Sequence, residues 1–434
     1  MGKSRRVWFE EAGGMLDPGL ISQLRQLRKE GADEQKTGLP VIVRWKDRTD
    51  RKEREEALRI CEGGSCDSVF GELSMSASFY GQLSPGTIDS LKDHKAVSKI
   101  YFDREVQALL DVASKSVGAV DVREHEGLSG KGVTIAVLDT GIHPHDDLTK
   151  PEERISGFAD LVGEKQDPYD DQGHGTHCAG DAAGNGHLSE GLYTGPASEA
   201  NVVGVKVLDK EGGGRLSTVI RGVEWCIQHR EELDIRVISL SLGAPAFESY
   251  RDDPLAQACE AAWHSGIVVC AAAGNQGPYP GTISTPGIDP VIITVGSADD
   301  QDTIERGDDE KAPYSSRGPT LDLLVKPDIY APGTNIISLS VPDSPLEEEL
   351  PENRVGDYYI SLSGTSMATP VCAGVVALML EANPRLSPND VKSILKSTAA
   401  EMEGDQAGYI DSRRAVDLAK KYLQFQQPFA PVKG

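Results

Sequence analysis

Five short apolar runs alternate with helical segments over most of the chain, and this alternation limits the possible folds more than any other feature. The apolar runs lie at 133–138, 202–208, 237–242, 267–273 and 291–295. Helical patterning occurs at 217–229, 254–265, 367–381 and 387–397. Near-continuous apolar runs are typical of parallel strands that are buried on both faces. The pattern therefore predicts an α/β domain with a doubly wound, mostly parallel sheet.

The net charge of the chain is −24, and it is distributed unevenly. Residues 1–110 contain 18 basic and 18 acidic side chains, so the whole negative excess falls on residues 111–434. Such acidity argues against nucleic acid or an anionic membrane as the main partner. We therefore expect an N-terminal extension at 1–38, a small domain at 39–110 and a large domain at 111–434.

The cysteines and the N-terminal residues indicate the cellular compartment of the protein. Seven cysteines are spread along the chain without a paired CxxC spacing, which favours reduced thiols over a disulfide scaffold. The basic N-terminus is not followed by the apolar segment of a secretory signal. The apolar runs are also much shorter than the ~18 residues of a membrane span. We expect a cytoplasmic protein without a membrane anchor.

The small domain shows the element order β-α-β-β-α-β. Strands are predicted at 41–45 and 97–102, helices at 51–60 and 84–94, and a long strand or a hairpin at 69–83. This order is typical of a ferredoxin-like α+β module. The pattern by itself indicates no function for the module.

Four polar residues of the large domain are candidate functional residues. In α/β sheets, functional side chains lie beyond the carboxyl ends of the strands. Asp139 and Asn275 each follow a buried strand, His174 lies between two glycines at a helix start, and Ser366 begins an apolar helix. Each has an ordinary structural explanation as a turn, core or cap residue. A dinucleotide loop is excluded because no GxGxxG follows Asp139, and His174 with His177 lacks the third ligand of a HExxH-like metal site.

Taken together, these residues are harder to explain as structural. Small residues surround Ser366, and we expect Pro370 in the first turn of the helix, where its missing N–H has little effect. The Ser366 hydroxyl would then lie at the positive end of the helix dipole, where an oxyanion is stabilised. The side-chain amide of Asn275 would supply a second oxyanion donor.

The segments around these residues resemble the subtilisin-like serine protease family, over about residues 127–418. The blocks that carry the resemblance are Asp139-Thr-Gly, His174-Gly-Thr-His-Cys-Ala-Gly and Gly364-Thr-Ser366-Met-Ala-Thr-Pro, in the family's Asp, His, Ser order. Asn275 stands at the family's oxyanion position. The run Asp-Gln-Gly-His-Gly-Thr-His-Cys and the absence of a signal segment look most like AprX-type intracellular subtilisins of bacteria.

The resemblance implies a subtilisin-like fold and a serine endopeptidase that acts on polypeptides through an acyl-enzyme. Ser366 would be the nucleophile, His174 the proton carrier, Asp139 the residue that orients the imidazole, and Asn275 an oxyanion donor. The implied substrate-binding residues are Gly212, Gly214, Leu216, Ser241, Leu242, Gly243, Ala272 and Gly274. Pairing with these backbone edges implies broad specificity with a large apolar P1 residue, and Leu216 with Val219 would form an apolar S4 pocket.

The resemblance also implies that the small domain is a propeptide, an intramolecular inhibitor removed by self-cleavage between about 105 and 113. No cofactor is required for the chemistry. Asp147 matches a ligand of the family's strong calcium site, but His187, a poor ligand for a hard cation, replaces the expected asparagine. The acidic loops at 167–171 and 299–310 are alternative calcium positions.

Other interpretations stay open from the sequence. A catalytically silent binding protein on the same fold is disfavoured because all four site residues are present, and a serine-carboxyl peptidase would need Glu at 174 and Asp at 275. Residues 1–110 also fit an independent interaction domain. Asp170 and Asp171, beside His174, are either selectors of a basic P2 residue or solvated surface carboxylates. Cys178 is either a small core residue or a thiol that borders the active site.

Overall fold

The computed structural model describes two compact units, Met1–Gln107 and Ala108–Gly434, each with its own apolar core. The residues described are 8–9, 12, 14–16, 18–30, 37–46, 49–61, 67–73, 77–102, 112–163, 165–402 and 404–422. The segment 105–111, in which most of the expected self-cleavage region falls, lies outside them.

The small unit is a four-stranded antiparallel sheet with helices. Its elements are α1 (Pro18–Glu30), β1 (Leu39–Trp45), α2 (Arg51–Cys61), β2 (Ser68–Leu73), β3 (Ser78–Leu83), α3 (Pro85–Lys92) and β4 (Val97–Phe102). The strand order is β2-β3-β1-β4. This is the ferredoxin-like order of elements, and the segment 69–83 forms a hairpin rather than one long strand.

The described part of the predicted extension packs into the core of the same unit. Leu16, Leu20 and Leu24 belong to one buried cluster with the strand residues Val41 and Phe79. The backbone joins them as well, since the Ile100 N–H of β4 donates to the Met15 carbonyl at 2.8 Å. Leu16, Leu20 and Leu24 therefore belong to the apolar core that packs on this sheet.

The large unit alternates strands and helices. Its strands are β5 (Thr134–Asp139), β6 (Ile155–Asp160), β7 (Asn201–Lys206), β8 (Ile235–Leu240), β9 (Val268–Ala272), β10 (Ile293–Asp299), β11 (Glu310–Lys311), β12 (Ile329–Pro332), β13 (Ile336–Leu339), β14 (Arg354–Val355) and β15 (Tyr359–Leu362). Its helices are α4 (Val112–Ser116), α5 (Ala119–Glu126), α6 (Asp146–Thr149), α7 (His174–Ala183), α8 (Leu216–Gln228), α9 (Pro254–His264), α10 (Pro345–Glu349), α11 (Thr365–Ala382), α12 (Pro388–Thr398) and α13 (Ser412–Lys421).

The main sheet confirms the predicted doubly wound α/β fold. Its order is β11-β10-β9-β8-β5-β7-β6, with β12 beside β10, and all pairs except β10 with β11 are parallel. Every residue of the central strand β5 is buried, as its apolar run predicts. The edge strand β6 is only partly buried and carries polar and glycine residues, so it shows no apolar run. This order brings the carboxyl ends of β5, β8 and β9 to one edge.

Helix α11 forms the centre of the large unit. It is the one described helix that is long and apolar enough to cross a membrane. However, 83% of its 18 residues are buried inside the domain. Core helices of globular domains have the same composition. Its first turn carries Ser366, which lies at the edge of the sheet.

Candidate active site

His174 and Asp139 meet where β5 ends and α7 begins. His174 Nδ1 lies 2.7 Å from Asp139 Oδ1, and the carboxylate is fully buried. The close approach depends on Gly175, because a Cβ there would lie 2.3 Å from the Gly141 carbonyl oxygen and 3.0 Å from Asp139 Cβ. The Thr140 N–H also donates to Asp139 Oδ1 at 2.8 Å, which holds the carboxylate in place. The pair therefore has the geometry that orients an imidazole for proton transfer.

Asp170 builds the turn that presents His174. Its carboxylate accepts hydrogen bonds from the Gln172, Gly173 and Thr176 backbone N–H groups and from Thr176 Oγ1, at 2.7–3.1 Å. A carboxylate that caps the start of a helix also matches the positive end of its dipole. Asp170 is thus a buried cap rather than a solvated surface group.

Asp171, the neighbouring acid, forms an ion pair with a buried cation. Its Oδ1 lies 2.6 Å from Lys206 Nζ, and the same ammonium donates to the carbonyl oxygens of Thr140 at 2.6 Å and Leu208 at 2.8 Å. The Asp171 charge is therefore already balanced within the fold. The sequence suggested that Asp170 and Asp171 are either selectors of a basic P2 residue or solvated surface carboxylates. Neither alternative included the cap made by Asp170 or the ion pair made by Asp171.

Ser366 lies in the first turn of α11 beside Ser241. Its Oγ donates to the Ser241 carbonyl at 3.0 Å, and Ser241 Oγ donates to the Ser366 carbonyl at 2.8 Å. Among the described residues, no hydrogen bond joins Ser366 to His174. The two are linked through Cys178, whose Sγ lies 3.8 Å from His174 Nδ1 and 3.5 Å from the Ser366 carbonyl oxygen.

Pro370 explains why the Ser366 carbonyl can accept these bonds. It lies inside α11, past the first turn where the sequence analysis placed it. A helical carbonyl normally accepts from the N–H four residues later, and Pro370 has none. The free carbonyl of Ser366 is therefore available to Ser241 and Cys178, which tie the start of α11 to the neighbouring elements.

Asn275 directs its amide toward the start of the same helix. Its Oδ1 accepts from the Thr365 N–H and from Thr365 Oγ1, both at 2.9 Å, so its Nδ2 must face the other way. A Cβ on Gly364 would lie 3.3 Å from this Nδ2 and 3.6 Å from the Ser366 backbone nitrogen. Two N–H donors therefore border one space that Gly364 leaves open, as an oxyanion hole requires.

Burial and charge act in opposite directions on the protonation of His174. Burial of the imidazole disfavours its charge, but the Asp139 carboxylate outweighs this, and the pKa of His174 lies well above the ordinary 6.5. Burial also raises the pKa of the Cys178 thiol, to about 11. Cys178 is then neutral at neutral pH, so Asp139 is the main source of the histidine shift.

A cavity of about 450 Å³ opens beside His174. Of the predicted substrate-binding residues, those that line it are Gly212, Gly214, Leu216, Ser241, Leu242 and Gly243. Ala272 and Gly274 do not line it: they lie at the end of β9, where the Gly274 N–H donates to Thr365 Oγ1 at 3.2 Å. Val219, predicted for the S4 pocket, and Gly213, between two predicted glycines, also line it, and the lining residues that were not predicted are Thr140, Gln172, Leu208, Ala244 and Leu255.

The surroundings of Asp147 do not fit a calcium ion. Its Oδ1 accepts from the Leu188 N–H at 2.9 Å, and its Oδ2 accepts from the Tyr359 hydroxyl at 2.9 Å. The guanidinium of Arg154 donates to the Asp147 backbone carbonyl. Calcium requires a shell of oxygen acceptors, whereas the groups around Asp147 are donors and a fixed cation. Among the described residues, the one cluster of three potential metal ligands is Asp139, His174 and Cys178, in the site itself.

The chain is similar to proteases of known sequence and structure. The subtilase family model matches residues 130–424. Serine protease AprX of Bacillus subtilis (strain 168) is 52% identical over 323 residues, which are 73% of this chain and 72% of that protein. Subtilisin Savinase of Lederbergia lenta is 36% identical over 278 residues, 64% of this chain and 87% of that protein.

A solved structure agrees with these sequence relatives. The crystal structure of a cold adapted subtilisin-like serine proteinase is 30% identical, covers 66% of this chain and 90% of its own, and has a TM-score of 0.51. The family match spans more than half of the chain and includes every predicted site residue. The chain therefore belongs to the subtilase family and is a subtilisin-like serine endopeptidase close to AprX.

Proposed function

We propose that Ser366, His174 and Asp139 form the catalytic triad of this endopeptidase. The observation that carries the proposal is the 2.7 Å contact between His174 Nδ1 and Asp139 Oδ1. A proton on Nδ1 shared with the carboxylate leaves Nε2 free as the general base. Ser366 Oγ donates to the Ser241 carbonyl in the resting structure, so the proposal requires this hydroxyl to turn from Ser241 to Nε2 when substrate binds.

The reaction follows from these positions. Ser366 Oγ bonds to the scissile carbonyl carbon as its proton passes to His174 Nε2, and the carbonyl oxygen becomes an oxyanion. Asn275 Nδ2 and the Ser366 N–H stabilise that charge. The C–N bond then breaks while His174 protonates the leaving amine, and water repeats the sequence to release the acyl group. No cofactor takes part in these steps.

We propose broad specificity with a preference for large apolar P1 residues. The edges formed by residues 212–214 and 241–243 carry four glycines, and backbone pairing with a substrate is tolerant of its sequence. Gly243 supports the preference, because it lines the cavity without a side chain that would fill it. The same cavity is also lined by five larger apolar residues, Leu208, Leu216, Val219, Leu242 and Leu255.

We also propose that residues 39–110 are a propeptide that inhibits the enzyme until self-cleavage between about 105 and 113. The β-α-β-β-α-β order supports this, because the family resemblance implies such a module before the catalytic domain. We further propose a cytoplasmic site of action. It is supported by five cysteines of the large unit that are buried and form no disulfide: Cys178, Cys226, Cys259, Cys270 and Cys372.

The triad is tested with a fluorophosphonate probe and a peptide anilide on wild-type, Ser366→Ala and Cys178→Ala proteins. We expect Ser366→Ala to lose labelling and about 10⁶-fold in kcat, the size found when a subtilisin loses its nucleophile. Cys178→Ala is the matched control and should still be labelled. A Ser366→Ala protein that still reacts with the probe would contradict the assignment.

The propeptide is tested by N-terminal sequencing of the same proteins after purification. Wild type should begin between residues 105 and 113, and Ser366→Ala should retain the full chain. Adding the separate N-terminal segment to the processed enzyme should inhibit hydrolysis of the anilide. If wild type stays uncut and fully active, the small unit is an independent domain instead.

A further inference from the structure

Among the described residues of the large unit, the most exposed large apolar side chains lie on three loops. Their exposed fractions are 89% for Phe247, 80% for Leu323, 75% for Tyr279 and 60% for Leu321, and Val325 follows at 56%. Single exposed apolar residues are common on globular proteins, but a group of them indicates a surface that binds something. These five residues are called the apolar rim below.

Hydrogen bonds join the loop that carries Phe247 to the loop that carries the two leucines. The Asp322 carboxylate accepts from Ser249 Oγ at 2.7 Å and from the Tyr250 N–H at 3.1 Å. Both loops are thereby held in one arrangement, so Phe247, Leu321 and Leu323 keep a common position relative to each other.

The loop that carries Tyr279 is bonded to both of the others. Ala244 and Thr285 exchange two backbone hydrogen bonds, at 2.9 and 3.1 Å. Thr282 and Arg317 are joined by two more, both at 3.0 Å. The apolar rim is therefore carried by one connected framework and not by three independent loops.

In the loop that carries Leu321 and Leu323, the apolar side chains point to solvent and a charged side chain points inward. This is the reverse of an ordinary surface segment. Leu321, Leu323 and Val325 face outward, whereas the intervening Asp322 points inward to its hydrogen bonds. Leu323 also has a φ of 60°, in the left-handed region that leucine rarely adopts. Both the exposure and the backbone conformation are costs to folding, which points to a role in binding rather than in stability.

One of the loops that carry the apolar rim begins at a residue that lines the substrate cavity. Gly243 and Ala244 line the cavity, and Ala244 begins the Phe247 loop. A Cβ on Gly243 would touch Ser284 Cβ and the Thr285 carbonyl oxygen at 3.0 Å, so the cavity wall and the Tyr279 loop are in contact. Two of the loops that carry the apolar rim therefore adjoin the wall of the cavity.

We propose that the apolar rim is an accessory binding surface for apolar segments of unfolded polypeptide substrates. The proposal rests on the proposed protease function. An unfolded chain is the partner that fits, because it exposes its apolar side chains and offers an extended backbone to the cavity at the same time. A folded protein buries those side chains and presents neither feature.

The test compares two substrates on the variant F247S/L321S/L323S. One is a tetrapeptide anilide that fills only the cavity, and the other is a reduced, carboxymethylated protein. We expect KM for the unfolded protein to rise about tenfold with kcat unchanged, because the lost binding is the same in the ground and transition states. Hydrolysis of the anilide should stay within about twofold of wild type.

The matched control is the variant L192S/I304S, which removes two exposed apolar side chains away from the rim. Leu192 and Ile304 are 41% and 54% exposed. This variant should hydrolyse both substrates as wild type does. An unchanged KM for the unfolded protein in F247S/L321S/L323S would overturn the proposal, and so would an equal loss on both substrates.

A second measurement separates this proposal from the triad assignment. With the processed enzyme inactivated at Ser366 by the fluorophosphonate probe, the uncleaved carboxymethylated protein should bind, and the three rim substitutions should weaken its Kd about tenfold. If Ser366→Ala still hydrolyses the anilide, the triad assignment fails while the binding result still stands. If light scattering shows a dimer that the rim substitutions dissociate, with KM unchanged, the surface pairs with a second copy and the proposal is wrong.

Discussion

Asp139 controls the chemistry of the site because it is the buried charge next to the imidazole. Moving a carboxylate out of water is costly, and the Thr140 N–H and His174 Nδ1 are the partners that compensate for it. Its other oxygen, Oδ2, is buried without a hydrogen-bond partner among the described residues. Much of the stabilisation of this charge therefore depends on the imidazole, which is why the pKa of His174 is raised.

The raised pKa of His174 predicts the pH dependence of activity. Catalysis needs the neutral imidazole, and the carboxylate keeps the ring protonated to higher pH, so the acid limb of kcat/KM should lie above pH 6.5. The measurement is kcat/KM for the anilide against pH. His143→Gln is the control, since burial lowers the pKa of that nearby histidine and its loss should leave the limb in place. An acid limb at or below 6.5 would contradict the prediction.

Cys178 predicts selective inhibition by soft metals. Its thiol is neutral at pH 8, because burial raises its pKa to about 11, so alkylation by iodoacetamide should be slow. A mercurial bound at Sγ, 3.8 Å from His174 Nδ1, would displace the imidazole. We expect full inhibition of wild type by p-mercuribenzoate and none of Cys178→Ala. Wild-type activity that persists under saturating reagent would show that the thiol is too far from the reacting groups.

Gly364 offers a test of the oxyanion hole that leaves the fold unchanged. Its φ of 166° is extended backbone that alanine adopts without strain. An alanine Cβ would lie 3.3 Å from Asn275 Nδ2 and crowd the oxyanion. We expect Gly364→Ala to lower kcat about 10²–10³-fold, with an unchanged melting temperature. Gly307→Ala, in the large unit with open space around the position of its Cβ, serves as the control.

At the scale of elements, a buried carboxylate joins helix α12 to the sheet, beside the bonds from Lys392 to the backbone carbonyls before β10. Asp328 lies within 3.0 Å of the ammonium groups of Lys326, Lys392 and Lys396, and the last two belong to α12. It also accepts from the Thr294 N–H of β10 at 3.0 Å. Burial opposes its ionisation, but the lysines outweigh this and lower the pKa of Asp328 below its ordinary range.

This cluster predicts a large loss of stability in Asp328→Asn. The variant leaves buried ammonium groups without their counter-ion, so we expect the free energy of unfolding to fall by about 3–5 kcal/mol in urea titrations. Lys396→Met removes a half-exposed partner and should cost under about 1 kcal/mol. Both are measured on a Ser366→Ala background to prevent autolysis.

The sign of the pH dependence follows from the lowered pKa of Asp328. Its stabilising contribution is complete above the unfolded-state value near pH 4 and is lost as the pH falls toward the lower folded value. The stability difference between wild type and Asp328→Asn should therefore shrink below about pH 4. A constant difference from pH 7 to pH 3 would mean that the carboxylate is not the source of the effect.

At the scale of the whole molecule, we expect that the protein does not need a calcium ion bound at Asp147 for its stability. Arg154 is buried there and donates to the carbonyl oxygens of Ala183 at 2.7 Å, Ala200 at 2.9 Å and Asp147. The chain itself thus supplies a cation among converging carbonyl groups. EDTA should leave the melting temperature unchanged within about 2 °C, whereas Arg154→Met should destabilise by about 2–4 kcal/mol. A large drop in EDTA would place a structural cation elsewhere in the chain.

Much of the fold was predictable because its strands are buried on both faces. The runs that became β5, β7, β8, β9 and β10 had few polar positions to obscure them. The edge strand β6 and the small sheet of β13, β14 and β15 were missed, since edge and short strands keep polar residues that resemble loops. Asp139, His174, Ser366 and Asn275 stood out through the small residues next to them.

What the sequence determined by itself is the set of chemical groups, their order and the strands that carry them. What only the tertiary structure decided is which partners those groups meet. Asp170 and Asp171 look alike along the chain, yet one caps α7 and the other binds Lys206. Pro370 looks like an early helix residue, yet it frees the Ser366 carbonyl for Ser241. The physical reason is that hydrogen bonds and ion pairs depend on distances between residues far apart in the chain, which local patterns do not contain.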